Sequence, residues 1–268
     1  IANTGIFLNL LNYKDKLLSL DLTSGGHLTH GSSVNVMHKF LDIYHYNVNR
    51  DTQLLNYNKI HDQAIKIKPK IIIAGASSYS REIDFKKMRT IADDVDALLY
   101  ADISHIAGLI SANLHQSPID NAHITTCSTY KSLACLRGGL VMSGKDYNME
   151  YKGKKLYSHL NSSIFPFIQS TPEFNNILSK HYGLEYCMTN EYKLLMKRVK
   201  KYANRIAERL INNYGIKVIS NGTDNHIVMI DTIQSFGLSG LNVANALEEI
   251  GIIVNKNTIP YDNKSPHV

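Results

Sequence analysis

Residues 71 to 102 hold the pattern that most restricts the possible folds: an apolar run, an amphipathic stretch and a second apolar run in close succession. Ile71-Ile72-Ile73-Ala74 follows Lys68-Pro69-Lys70 and ends in the turn Gly75-Ala76-Ser77-Ser78. A short, wholly apolar, β-branched run between such breakers predicts a strand covered on both faces. From Asp84 to Val95, the residues Phe85, Met88, Ile91, Ala92 and Val95 fall at helical spacing, with Asp84 placed to cap the first turn. Ala97 to Asp102 (ALLYAD) is the second strand. Parallel strands need a crossover, and a helix of this length supplies one, so the segment predicts a βαβ unit in a helix-covered, mostly parallel sheet. Short strands at 123–127 and 139–143 extend it.

After Gly144 the pattern changes. A polar stretch leads to Phe165-Pro166, helical segments follow to about Asn213, and two strands are expected at 215–220 and 227–231 around an NGTDN turn. A helix at 239–249, closed by Gly251, leads into an expected strand at Ile252–Val254. The expected organisation is α/β: a large domain over residues 1–190 and a smaller α+β domain over 191–268.

Composition narrows the class. Hydrophobic residues make up 44% and charged residues 19%, which is a globular balance. No apolar run approaches the ~20 residues of a membrane span. The three cysteines (Cys127, Cys135, Cys187) form no CxxC pair, so a reducing, intracellular setting is expected. The formal charge of +6 favours anionic partners. Its densest basic run, Lys193 to Arg209, has apolar residues on one helical face, so a solvated helix is expected rather than a nucleic-acid surface. The first residues, Ile1-Ala2-Asn3-Thr4-Gly5, read like the interior of a domain, and the chain is expected to belong to a longer polypeptide.

Ligands of parallel α/β sheets bind beyond the carboxyl ends of the strands. Asp102 and His105 stand at one such end, Ser77 follows the strand at 71–74, and Lys131 follows the strand ending near Cys127. No GxGxxG motif follows a strand and no phosphate-binding P-loop is present. An acid and a lysine on neighbouring strand ends suit pyridoxal phosphate, the lysine as attachment point and the acid as partner of the pyridine nitrogen. Two alternatives stay open on spacing alone: Asp102 caps the next turn while Lys131 faces solvent, or Asp102 and His105 form half of a metal site.

Five blocks resemble serine hydroxymethyltransferases: SGGHLTHGS (Ser24 to Ser32), DISHIAGLISA (Asp102 to Ala112), KSLACLRGG (Lys131 to Gly139), NGTDNH (Asn221 to His226) and IIVNKNTIPYDNKSP (Ile252 to Pro266). The resemblance implies the aspartate-aminotransferase-like fold of pyridoxal-phosphate enzymes (fold type I). It implies a homodimer or homotetramer with sites between subunits, located in cytoplasm or mitochondrion, and not on a membrane or nucleic acid. The implied activity is transfer of a hydroxymethyl group between serine, glycine and tetrahydrofolate in one-carbon metabolism. By the same resemblance Lys131 bears the cofactor, Asp102 partners its ring nitrogen and His27 stacks on the ring. His105, Ser77 and Ser128 line cofactor or substrate, and Tyr130 and Arg137 flank the lysine loop. Lys131, Asp102 and His105 form the implied catalytic set.

The sequence also departs from that family. Tyr130 stands where the family has histidine, Leu136 where it has proline, and FPFIQSTP (Phe165 to Pro172) where it has a glycine-rich loop that reaches the neighbouring subunit's cofactor phosphate. These departures favour a second reading, a catalytically impaired homologue acting as a structural or regulatory partner subunit; a third, a threonine-aldolase-type lyase, is opposed by the GGHLTHG and VNKN blocks.

Overall fold

The structure is a computed structural model that describes residues 1–262. Its strands include β1 (Lys16–Leu20), β2 (Asp42–Tyr46), β3 (Ile71–Gly75), β4 (Leu98–Asp102), β5 (Ile124–Ser128) and β6 (Gly139–Met142). They form one sheet in the order β2-β1-β3-β4-β5-β6. All neighbours are parallel except the edge pair β5 and β6, which run antiparallel. A two-residue hairpin, β7 (Glu150–Tyr151) with β8 (Lys154–Lys155), lies apart from it.

Strand periodicity sorts the apolar side chains into two cores. Ile72, Ala74, Leu99 and Ala101 enter one cluster, while Ile71, Ile73, Leu98 and Tyr100 enter the other. Every residue of β3 and β4 is buried, which explains why these strands read as unbroken apolar runs rather than alternating ones. The first cluster is closed by α2 (Tyr57–Ile67) through Ile60 and Ala64, and by α3 (Phe85–Asp93) through Phe85, Met88, Ile91 and Ala92. The second is closed by α1 (Ala2–Leu10) through Ile6, Phe7 and Leu10, and by α5 (Leu156–Ile164) through Leu156 and Leu160. Each fully buried side chain of this size contributes about 1.5–3 kcal/mol.

The expected crossover helix starts where its cap requires. The Asp84 carboxylate accepts the Lys87 backbone N–H at 3.0 Å, and the Asp84 N–H donates to the Tyr57 hydroxyl at 2.7 Å. The remaining helices are α4 (Ala107–Ser111), α6 (Phe174–Met188), α7 (Asn190–Tyr214), α8 (Thr232–Phe236) and α9 (Gly240–Glu249). Among the described residues, no helix is long and apolar enough to cross a membrane.

Three expected strands are corrected. Segments 215–220 and 227–231 meet only at a single antiparallel bridge, Val218 to Ile230. Ser220 and Asn221 both adopt φ of 55°, which turns the chain out of any ladder. The turn docks on the loop after β3 instead: Arg81 donates to the Ser220 carbonyl at 2.6 Å and pairs with Asp224 at 3.0 Å. Ile252–Val254 is irregular and exposed, because no neighbouring strand among the described residues offers it a ladder. Asn263 to Pro266, the end of the fifth family-like block, lie outside the described residues.

Candidate active site

The parallel register brings Gly75 opposite Asp102 at the carboxyl ends of β3 and β4. A Cβ on Gly75 would lie 2.5 Å from the Asp102 carbonyl oxygen and 2.9 Å from its Cβ, so only glycine lets the two strand ends approach this closely. Asp102 is 8% exposed and accepts four hydrogen bonds. His30 Nε2–H (3.0 Å) and Asn3 Nδ2–H (2.9 Å) reach Oδ2. The Ser104 backbone N–H (3.1 Å) and hydroxyl (2.6 Å) reach Oδ1. Burial alone would raise the carboxyl pKa, but the bonds from His30, Ser104 and Asn3 outweigh it and hold the group well below the usual carboxylate range. Asp102 is therefore a fixed, ionised acceptor at the sheet edge.

Lys131 follows β5. Its ammonium donates to His105 Nε2 at 3.1 Å. Partial burial lowers the lysine pKa, opposed by the charge of Asp102. Burial pushes His105 down to about 4, helped by the neighbouring charges of Lys131 and His226. His105 is thus neutral at pH 7, with its ring 6.3 Å from that of His226 and nearly parallel to it at 11°. Burial, with the charge of His30, also lowers the pKa of His27.

His27, Asp102, Ser128, Tyr130, Lys131 and Arg137 line one open cavity of about 1160 Å³. The Ser128 hydroxyl is buried and has no partner, while its N–H donates to the Ser104 hydroxyl at 2.9 Å. The Arg137 guanidinium lies 5.2 Å from the centre of the Tyr130 ring. The lining also includes Phe165 and the run Gln169 to Pro172 of the altered loop. His105 reaches this cavity through Lys131. Ser77 is not among the residues lining it; its N–H donates to the Gly25 carbonyl at 2.7 Å. Among the described residues, no group of three or more His, Cys, Asp or Glu is arranged to hold a metal.

The sequence pattern does not single out His30 or Asn3, the two side chains that bind Oδ2 of Asp102. His30 was the second histidine of HLTHG, three residues after His27, and that repeat was the available signal. Asn3 has only a weak signal, a polar residue at the start of a helix whose face toward the sheet is otherwise apolar.

The family model for serine hydroxymethyltransferase matches residues 1–268. The chain belongs to the serine hydroxymethyltransferase family. Similar relatives, each called serine hydroxymethyltransferase, include one from Borrelia duttonii (strain Ly), 42% identical over 271 residues that cover 100% of this chain. Another, from Borreliella afzelii (strain PKo), is 44% identical over 269 residues, or 99% of this chain. The chain spans 64% of the length of these curated relatives. The six-stranded, mostly parallel sheet is that of the large domain of the family's fold type I architecture.

Proposed function

We propose that this chain forms the cofactor-binding body of a pyridoxal-phosphate-dependent enzyme that moves a hydroxymethyl group between serine, glycine and tetrahydrofolate. The observation that carries the reading is the opening of Lys131, Asp102 and His27 onto one cavity at the carboxyl edge of the sheet. The residues present fit the cofactor: Asp102 is ionised, Lys131 is partly desolvated, and the Ser128 hydroxyl is orphaned beside them. When bound, pyridoxal phosphate supplies an electron sink for carbanion chemistry at the amino-acid α-carbon.

The protein's own groups prepare that chemistry. Asp102 keeps its negative charge at any working pH and offers its remaining acceptor capacity to a ring N–H. Lys131 loses its proton more readily than a surface lysine, which raises the fraction of nucleophilic amine. His105, neutral and accepting on Nε2, aims the Lys131 nitrogen and adds no positive charge beside it. The proposal includes a second subunit of the same chain, a setting inside the cell consistent with the free thiols Cys127, Cys135 and Cys187, and a division near residue 190 between a large and a small domain.

The altered loop favours a second reading, a partner subunit with impaired catalysis. Phe165 and Phe167 are exposed, and Ile168 packs on α1, where a Cβ at Gly5 would lie 3.0 Å from its Cγ2. Such residues cannot converge several N–H groups on a phosphate as glycines can. Borohydride reduction in the presence of pyridoxal phosphate, followed by peptide mapping, tests the main reading. The label is expected on Lys131. A label on Lys145 or Lys256, or none, would overturn it.

A further inference from the structure

We infer that Asn3 and Thr29 form a one-way hydrogen-bond relay that locks His27 as the neutral Nε2–H tautomer. Asn3 and Thr29 are thereby positioning residues for the imidazole at the mouth of the cavity.

The direction of each bond follows from the one before it. Asp102, ionised, can only accept, so the Asn3 atom 2.9 Å from Oδ2 must be the amide nitrogen. That orientation turns Asn3 Oδ1 toward two hydroxyls, Tyr100 at 2.7 Å and Thr126 at 3.0 Å, and both donate to it. The amide is then saturated, since its second N–H donates to Thr29 Oγ1 at 2.9 Å. Thr29 accepts there, so its single hydroxyl proton is free for its other neighbour, His27 Nδ1 at 2.8 Å. The Thr29 backbone N–H aims at the same nitrogen, 3.2 Å away.

Two donors therefore converge on His27 Nδ1. A proton on that nitrogen would face the Thr29 backbone N–H, which can only donate and would lose its bond, and would force the Thr29 hydroxyl to turn and accept on its second lone pair. The lone pair stays on Nδ1, and the proton of the neutral ring stays on Nε2, the nitrogen turned away from Thr29. Burial, His30 and Lys131 disfavour a second proton on His27, and Asp102 opposes them without prevailing. The relay couples two functions of the site. The charge on Asp102 fixes Asn3, Asn3 fixes Thr29, and Thr29 keeps the His27 ring uncharged. A neutral ring can lie against a protonated pyridine face without like-charge repulsion, and this consequence alone rests on the proposed cofactor.

The test uses nitrogen-15-labelled protein without added cofactor, with imidazole nitrogen–proton correlation spectra recorded at pH 7. His27 is expected as a single Nε2–H tautomer. An Nδ1–H form or a doubly protonated ring in the parent protein would overturn the inference. In Thr29→Val the hydroxyl donor is lost at nearly constant volume. The Nδ1–H population should rise roughly five- to tenfold, the ratio expected for one lost hydrogen bond. Thr29→Ser should restore the parental spectrum. Asn3→Ala should also raise the Nδ1–H form, because Thr29 loses the N–H donor that orients its hydroxyl proton toward His27. Unchanged tautomers in Thr29→Val overturn the relay, and if Asn3→Ala fails to fold the two Thr29 variants still decide it. Failure of cofactor binding would leave these spectra unaffected and would count only against the proposed function.

Discussion

Replacing Asp102 by asparagine should cost the cofactor-free protein about 3–6 kcal/mol of stability. The new amide can keep both Ser104 bonds on its oxygen. Its nitrogen then meets two donors, His30 Nε2–H and Asn3 Nδ2–H, in place of the carboxylate oxygen that accepted both. Hydrogen bonds to charged groups contribute about 1.5–3 kcal/mol each, and both are lost here. His30 has no neutral escape: moving its proton to Nδ1 would bury that donor beside nothing that accepts it, since Nδ1 has no partner. Equilibrium urea unfolding at pH 7 measures the loss as a drop in midpoint at constant slope. The pH dependence provides a second signature. The folded pKa of Asp102 lies below its unfolded value near 4, so its stabilisation is complete above that value and is lost as pH falls through the folded pKa. The gap between parent and variant should be flat from pH 5 to 7 and narrow only in stronger acid. A loss under about 1 kcal/mol at pH 7, or a gap that changes between pH 5 and 7, would refute this account of the carboxylate.

Three further outcomes are expected. Restoring glycines at Phe167, Ile168, Ser170 and Thr171 together with Tyr130→His should tighten pyridoxal phosphate binding, and equal dissociation constants by equilibrium titration would make the loop change neutral. His105 has a folded pKa of about 4, below its unfolded value near 6.5, so its share of stability is present above pH 6.5 and is lost as pH falls toward 4; His105→Gln should flatten that part of the unfolding profile, and an unaltered slope would contradict the assignment. Gly75→Ala should destabilise by about 2 kcal/mol or more, because its Cβ would press on backbone and Cβ of Asp102, and a change within 0.5 kcal/mol by urea unfolding would show that the strand ends yield freely.

The parts of the fold legible in the sequence were those where one physical cause dominates. Ile71–Gly75 and Leu98–Asp102 are buried on both faces, and Asp84 caps the crossover helix, so apolar runs and a capping residue located them. Strands Lys16–Leu20 and Asp42–Tyr46 escaped notice because β2 is an edge strand with a mixed burial pattern and β1 carries a buried serine. Ser19 hides there by donating to the His30 carbonyl at 2.7 Å, a partner eleven residues away across a loop. The same limit applies at the site. Lys131 and Asp102 stood at strand ends and were visible, whereas Asn3 and His30 act through tertiary hydrogen bonds that no local pattern encodes. The expected strands at 215–220 and 227–231 failed because local β preference lost to docking on Arg81.

The antiparallel edge pair has a consequence for how the lysine segment can change over time. Ser128 and Gly139 face each other in register, so the intervening residues form a loop closed at its base. The clasp is completed inside by Thr129, whose N–H donates to the Gly138 carbonyl at 3.0 Å and whose hydroxyl donates to the Leu136 carbonyl at 2.6 Å. A threonine hydroxyl thus holds the backbone of residue 136 from outside, where the family's proline would stiffen it from within. Residues 130 and 136 can then be exchanged while the loop's base stays clasped, and Lys131 keeps its foothold. The segment behaves as a cassette: its margins are tied to the sheet, and Tyr130 and Leu136 lie in the interior that the clasp encloses.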